Sequence, residues 1–188
     1  MKKILLSITL LLLNFNACSD TTKSTPKYKT AKDKIELNIS FADKKWNGKT
    51  IPKDEVCSDY HKNGGNSPAL TISNLPIKTN YIILSFSDET FKGMRDGGHG
   101  IIAYKVKKNN PNITIPSIHG ETFTLPTEFK SIQKHQGEKF GKKKGAYLPP
   151  CSGGSGNLYT INIKAINESS KENESIILGD ANISMGIY

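Results

Sequence analysis

Gly137–Tyr159, GEKFGKKKGAYLPPCSGGSGNLY, gathers adjacent prolines, a cysteine, tyrosines and a dense set of glycines directly ahead of the alternating run TINIKAI (Thr160–Ile166). Proline fixes φ and removes a backbone donor, whereas glycine permits φ > 0 and close approach of the backbone to another group. Composition alone leaves two readings open. One is a flexible hairpin connection; the other is a loop that presents backbone N–H groups and a tyrosine hydroxyl to something small and polar.

The runs around this loop are those of a β protein. Lys34–Phe41 (KIELNISF) places Ile35, Leu37, Ile39 and Phe41 on one face, and Tyr159–Ile166 does the same with Tyr159, Ile161 and Ile163. Tyr81–Phe86 (YIILSF) and Ile101–Val106 (IIAYKV) are short, β-rich and bounded by turn residues, as core strands are. Lys49–Ile51, Ala69–Ile72 and Glu121–Leu125 are candidates for sheet edges. Only Thr127–Lys134 and Ile176–Met185 read as possible short helices. The 9 prolines and 16 glycines fall mostly between the runs. The pattern predicts a mainly all-β fold, an antiparallel two-sheet sandwich with a few short helices and long functional connections.

The amino terminus bears on the compartment. Lys2 and Lys3 precede an apolar run, Ile4–Leu13, and the small residue Ala17 precedes Cys18, the order of an export signal. The run is too short for a spanning helix, which needs about 20 apolar residues. Cys18 directly after Ala17 predicts a bacterial lipoprotein, with residues 1–17 removed and Cys18 lipidated; cleavage after Ala17 without lipidation is the alternative. Residues 18–34 are polar and aperiodic, which predicts a disordered tether, and the folded domain is expected over 35–188. The protein is then expected on the bacterial cell envelope, lipid-anchored and facing the periplasm or exterior.

Charge and cysteines narrow the partners. The formal net charge is +9, and loss of Lys2 and Lys3 leaves +7. The basic runs at 107–108 and 142–144 lie in Asn/Gly-rich connections without stacking aromatics in register, so no nucleic acid is expected as a partner. Cys57 and Cys151 both sit in turn-rich segments, and in an exported chain they can pair. No CxxC or HxxxH spacing supports a metal, and none is expected. Gly-x-Ser-x-Gly, HExxH and Walker loops are missing, and no residue set nominates a nucleophile with its base. His99, in GMRDGGHGIIAY, stands at a strand mouth flanked by glycines, with Asp88 at the end of the preceding strand.

The order GKTIP (48–52), GGNSPAL (64–70), a strand ending at Asp88, GHG (98–100), GEKFGKKKGAY (137–147), PPC (149–151) and Tyr159 resembles the phosphatidylethanolamine-binding protein family, in particular its bacterial Raf-kinase-inhibitor-like branch. The resemblance runs over roughly residues 37–188 and implies a large antiparallel sheet packed on a smaller one. It also implies a non-catalytic pocket for a small anion, phosphate or a phosphorylated headgroup, without cofactor, built from Asp88, His99, the backbone at Gly141, Tyr147, Pro150 and Tyr188. Imidazole, tyrosine hydroxyls and loop N–H groups are donors suited to phosphate oxygens. An inhibitor of an envelope protease or another protein target is the alternative function. Several positions depart from the family pattern. Gly100 stands where a tryptophan follows the pocket histidine, Asn157 where a histidine precedes Tyr159, and Pro149, Ser152 and Gly153 alter the proline loop. The acid position falls on either Asp88 or Glu89. These changes predict an altered rim and weaker or different binding.

Overall fold

The computed structural model describes residues 28–107, 110–169 and 175–188. The expected leader 1–17, Cys18 and most of the tether lie outside the described residues. Nine strands are found among the described residues: β1 (Lys29–Glu36), β2 (Asn38–Phe41), β3 (Leu70–Ser73), β4 (Tyr81–Asp88), β5 (Ile101–Lys105), β6 (Ile113–Ile115), β7 (Phe129–Gln133), β8 (Leu158–Asn167) and β9 (Ile176–Ile187). They form a six-stranded sheet in the order β1-β9-β8-β4-β5-β7 and a three-stranded sheet in the order β2-β3-β6. The two-sheet, mainly β architecture is the one the periodicity predicts. Among the described residues no helix is long and apolar enough to cross a membrane.

β4 and β8 are the centre of the large sheet, paired in continuous register from Tyr81↔Ile166 to Asp88↔Tyr159. Alternation sends Ile82, Leu84 and Phe86 of β4 and Ile161, Ile163 and Ala165 of β8 into the space between the sheets, where they meet Leu70 and Ile72 of the small sheet. Each such aliphatic or aromatic side chain gains about 1.5–3 kcal/mol on leaving water. The outer face of the large sheet carries a second, smaller cluster of Ile83, Ile101, Ala103 and Ile166. That is why β4 reads as a nearly unbroken apolar run.

Four elements differ from expectation. KIELNISF is not one strand with one buried face: the chain changes sheet at Leu37, which is 3% exposed, while Ile35 stays 38% exposed at the end of β1. Order also begins before Ile35. β1 is polar and mostly exposed, and it is held by backbone pairing to β9, the one parallel pair among the named strands, and by a Lys34–Asp180 ion pair at 2.7 Å. Thr127–Lys134 and Ile176–Met185, read as possible helices, are the strands β7 and β9. Phe129 of β7 packs on Tyr104 at 5.0 Å, and β9 pairs along its length with β8. Tertiary pairing overrides weak local propensity in both. Glu121–Leu125 forms no strand, whereas β6, only three residues long, fell below what periodicity can detect.

Three cross-links fix the loops. Cys57 and Cys151 form a disulfide with Cα atoms 5.2 Å apart, reinforced by Cys57 N donating to Pro150 O at 3.0 Å. Buried Glu55 takes hydrogen bonds from Lys45 Nζ and from the main chain and side chain of Asn66. Buried Glu121 takes them from Ser58 N (2.7 Å) and Ser58 Oγ (2.8 Å). Both carboxylates act as struts between turns that have no ladder of their own.

Candidate ligand cavity

Asp88 ends β4, and its carboxylate accepts three hydrogen bonds. Oδ1 accepts from Thr90 N and Phe91 N, both at 2.9 Å, the local turn geometry that aspartate favours. Oδ2 accepts from Asn157 Nδ2 at 2.6 Å. The turn delivers Phe91 against Phe140, ring centroids 5.0 Å apart and edge-on. Phe140 closes a 3₁₀ turn, Gln136–Phe140, which starts with Gly137 N donating to His135 Nδ1 and stops at Gly141 with φ 77°. Between these pieces lies a cavity of about 110 Å³, walled by Asp88, Phe91, Phe140, Lys142, Asn157 and Tyr159, with Ser152 at its edge. Lys142 Nζ pairs with Asp59 at 2.6 Å.

Of the two candidate acids, Asp88 lines the cavity. Glu89 points to the opposite face of the sheet, where its Oε1 accepts from Thr160 Oγ1 at 2.6 Å.

Only Asp88 among the six expected ligand residues lines this cavity. His99, Tyr147 and Pro150 lie behind its wall with Tyr159, in packing too tight to admit a water. His99 is 3% exposed, and its Nδ1 sits 2.8 Å from the Leu148 carbonyl. A carbonyl only accepts, so the proton is on Nδ1. The ring stands edge-on to Tyr159 at 5.2 Å. Burial pushes its pKa from 6.5 down to about 4, against the opposing pull of the Leu148 carbonyl and of Asp88. The imidazole is neutral at pH 7 and is not the cationic phosphate donor the resemblance implies. Tyr147 packs on Phe86 at 4.5 Å, and among the described residues its buried hydroxyl has no hydrogen-bond partner.

Gly141 and Tyr188 lie at the margin. Gly141 N donates to Glu138 O and Lys142 N to Gly137 O, closing the turn. Gly156 N and Asn157 N donate to Tyr188 O, and Ser152 Oγ donates to it at 2.7 Å, while the Tyr188 ring meets Tyr60 edge-on. Cys151 N donates to the Tyr159 hydroxyl at 3.1 Å, and Leu148 N to His99 O. The N–H groups of the Gly137–Tyr159 loop named here therefore hold the loop itself rather than face the cavity.

Four wall residues were missed or undervalued from sequence. Phe91 lies in an aperiodic turn and carries no motif, and Phe140 and Lys142 stand in GEKFGKKKGAY, where only the backbone at Gly141 and the Tyr147 side chain were singled out. Asn157, read as a lost charge, instead orients Asp88. Tyr159 was visible as the cross-strand neighbour that β4–β8 pairing demands; burial, with Asp88 adding to it, raises its pKa to about 12. Gly100 is not a missing aromatic wall: at φ 117° a Cβ would lie 2.3 Å from Ala146 O. The rings at this end of the sheet come from Phe91 and Phe140.

The buried histidine gives the protein a pH dependence. Between pH 6.5 and about 4 the unfolded chain binds a proton that folded His99 does not. Stability is therefore full above pH 6.5 and falls by about 1.4 kcal/mol per pH unit across that window. Urea midpoints are expected to drop from pH 7 to pH 5, with a flatter profile in His99→Gln. An unchanged profile in the variant would remove His99 as the source.

The structure is thus a sandwich of a large and a small β-sheet, with a loop-built cavity at the end of the central strand pair where Asp88 of β4 faces Tyr159 of β8. The fold is that of the phosphatidylethanolamine-binding proteins. The chain is similar in structure to YbcL of E. coli, a new member of the mammalian PEBP family, with a TM-score of 0.51 and 17% identity, covering 82% of this chain and 98% of that one. It is also similar to CT736 of Chlamydia trachomatis, a phosphatidylethanolamine-binding protein homologue, at a TM-score of 0.47 and 19% identity over 81% of this chain and 97% of that one. Compared by sequence, the chain matches no protein-family model and no curated protein. Identity this low speaks for the fold and leaves the ligand to the residues.

Proposed function

We propose that the protein is a non-catalytic binding protein whose cavity takes a small phosphorylated group, phosphate itself or a phosphorylated headgroup, at a membrane surface to which Cys18 tethers it. The observation that carries this reading is the sharing of one cavity of about 110 Å³ by Lys142, Asp88 and two phenyl rings. The volume is well below the roughly 300–1,000 Å³ of drug-sized sites but large enough for several water-sized groups. Lys142, Tyr159 and Ser152 are donors for phosphate oxygens. Asp88 opposes a bare anion and favours a zwitterion whose ammonium lies against the carboxylate and the faces of Phe91 and Phe140, where cation–π attraction adds to the charge pair. The His99 ring hydrogen-bonds only the Leu148 carbonyl among the described residues, which supports binding over proton-transfer chemistry.

Calorimetry with phosphoethanolamine and inorganic phosphate tests the reading. Phosphoethanolamine is expected to bind more tightly than phosphate. Lys142→Ala weakens both by about tenfold, the size of one charge-assisted hydrogen bond. Asp88→Asn weakens only phosphoethanolamine. If the wild-type protein binds neither at millimolar concentration, the reading fails. The exposed ring pair at the cavity mouth favours a second role in surface recognition.

A further inference from the structure

Two turns meet at the mouth of the cavity and carry the same residue types with Phe and Lys exchanged: Phe91-Lys92-Gly93 after β4, and Lys139-Phe140-Gly141 at the end of the 3₁₀ turn. Phe91 is 45% exposed and Phe140 47% exposed, although each already packs on the other. Gly93 lies against both rings, with the space for a Cβ only 3.0 Å from Phe140 and 3.4 Å from Phe91, so position 93 puts no side chain over them. Lys92, Lys139, Lys143 and Lys144 are exposed around the pair. Of the nearby acids, Glu138 is paired with Lys134 at 2.9 Å and Asp59 with Lys142 at 2.6 Å, while Asp88 in the cavity wall takes hydrogen bonds from neutral donors. Lys92 and Lys143 form no ion pair among the described residues. The four lysines outnumber that one carboxylate, so the result is a small apolar point set in an excess of positive charge.

The size of the patch selects its partner. An aromatic side chain buries about 150–250 Å², so two of them, each already about half covered, supply well under half of the roughly 1,000 Å² that a specific protein interface needs. A lipid surface sets no such threshold. Aromatic rings settle at the boundary between headgroups and acyl chains, while lysines beside them are drawn to anionic headgroups. We propose that these two turns dock the protein on an anionic lipid surface, with Phe91 and Phe140 entering the interface, Lys92 and Lys139 among the headgroups, and the cavity mouth facing the bilayer. The docking goes beyond ligand binding in the cavity and does not depend on it.

A reporter placed in the patch separates this contact from any attachment through the amino terminus. In the full-length protein, Phe140→Trp adds an indole at the mouth, while the native Trp46 is 3% exposed and serves as a constant background. Ile77→Trp is the control: position 77 is 74% exposed and lies beyond the other end of β4, about 23 Å away along an eight-residue strand. Vesicles of equal parts phosphatidylglycerol and phosphatidylcholine, with brominated acyl chains, are expected to quench about half of the added emission in Phe140→Trp, since interfacial side chains sit about 5–10 Å deep. Ile77→Trp stays unquenched, and molar salt or pure phosphatidylcholine releases the quenching. Phe91→Trp is a second reporter and must behave as Phe140→Trp does. Equal quenching at positions 140 and 77, or none at either, overturns the proposal. Self-association through the patch without lipid also overturns it, assigning the rings to a second copy of the chain. Phosphoethanolamine calorimetry on the wild-type protein reads the cavity separately, so either result can fail alone.

Discussion

Reduction of the Cys57–Cys151 bridge is expected to lower the stability of the protein by about 4–5 kcal/mol. The bridge closes a loop of 94 residues in sequence separation, and the chain-entropy relation gives about 4.7 kcal/mol for a loop near 100 residues. Domains are commonly stable by only about 5–15 kcal/mol, so the loss is about a quarter of the total or more. The effect is also local. Cys57 is fully buried against Met94 and Leu148, and Cys151 N holds the Tyr159 hydroxyl at the back of the cavity. Urea unfolding of the oxidised protein, the reduced protein and Cys57→Ala/Cys151→Ala measures the loss. Both altered forms should unfold at lower urea with a steeper slope, because the unlinked chain exposes more surface when unfolded. Coincident curves for oxidised and reduced protein would show that the bridge adds nothing.

The core strands were legible because they obey simple alternation. β4, β5 and β8 bury one or both faces, and their side-chain pattern states this directly. β1 and β9 were not legible in the same way, because what holds β1 is main-chain pairing, and pairing leaves no mark on the side-chain sequence when the strand is polar. The cavity divides along similar lines. Asp88 and Tyr159 could be found since they are cross-strand partners at the ends of β4 and β8. Phe91, Phe140 and Lys142 are brought to them by turns, and nothing in the spacing of 88, 91, 140 and 142 announces that they share a wall. His99 shows the opposite failure. It stands at a glycine-flanked strand mouth and was expected to face the ligand, yet those glycines let the main chain close over the ring: Gly98 packs on Met94 and Gly100 on Ala146.

Gly100 sets the limit on what this end of the sheet can become. Its φ of 117° is available to glycine and costs other residues about 1–3 kcal/mol. A methyl group there would also stand 2.3 Å from Ala146 O and 3.3 Å from the Tyr147 Cα, and overpacking of that kind costs about 1–3 kcal/mol more. Neither side can yield easily. His99 N donates to Phe86 O and Gly100 O accepts from Phe86 N, which pins one side to the central strand. Leu148 N donates to His99 O and Ala146 N to Thr122 O, which pins the other. Gly100→Ala should therefore lose about 3–5 kcal/mol, and Gly100→Trp should fail to fold rather than restore an aromatic wall. Gly141→Ala separates the two causes, because Gly141 has φ 77° but no atom within 4 Å of the added carbon. It should show the conformational cost alone, about 1 kcal/mol. Denaturant midpoints of the two alanine variants give the comparison. Equal losses would mean that the His99–Gly100 segment does not press against Ala146, and that the closed packing around His99 is held by something other than this main-chain contact.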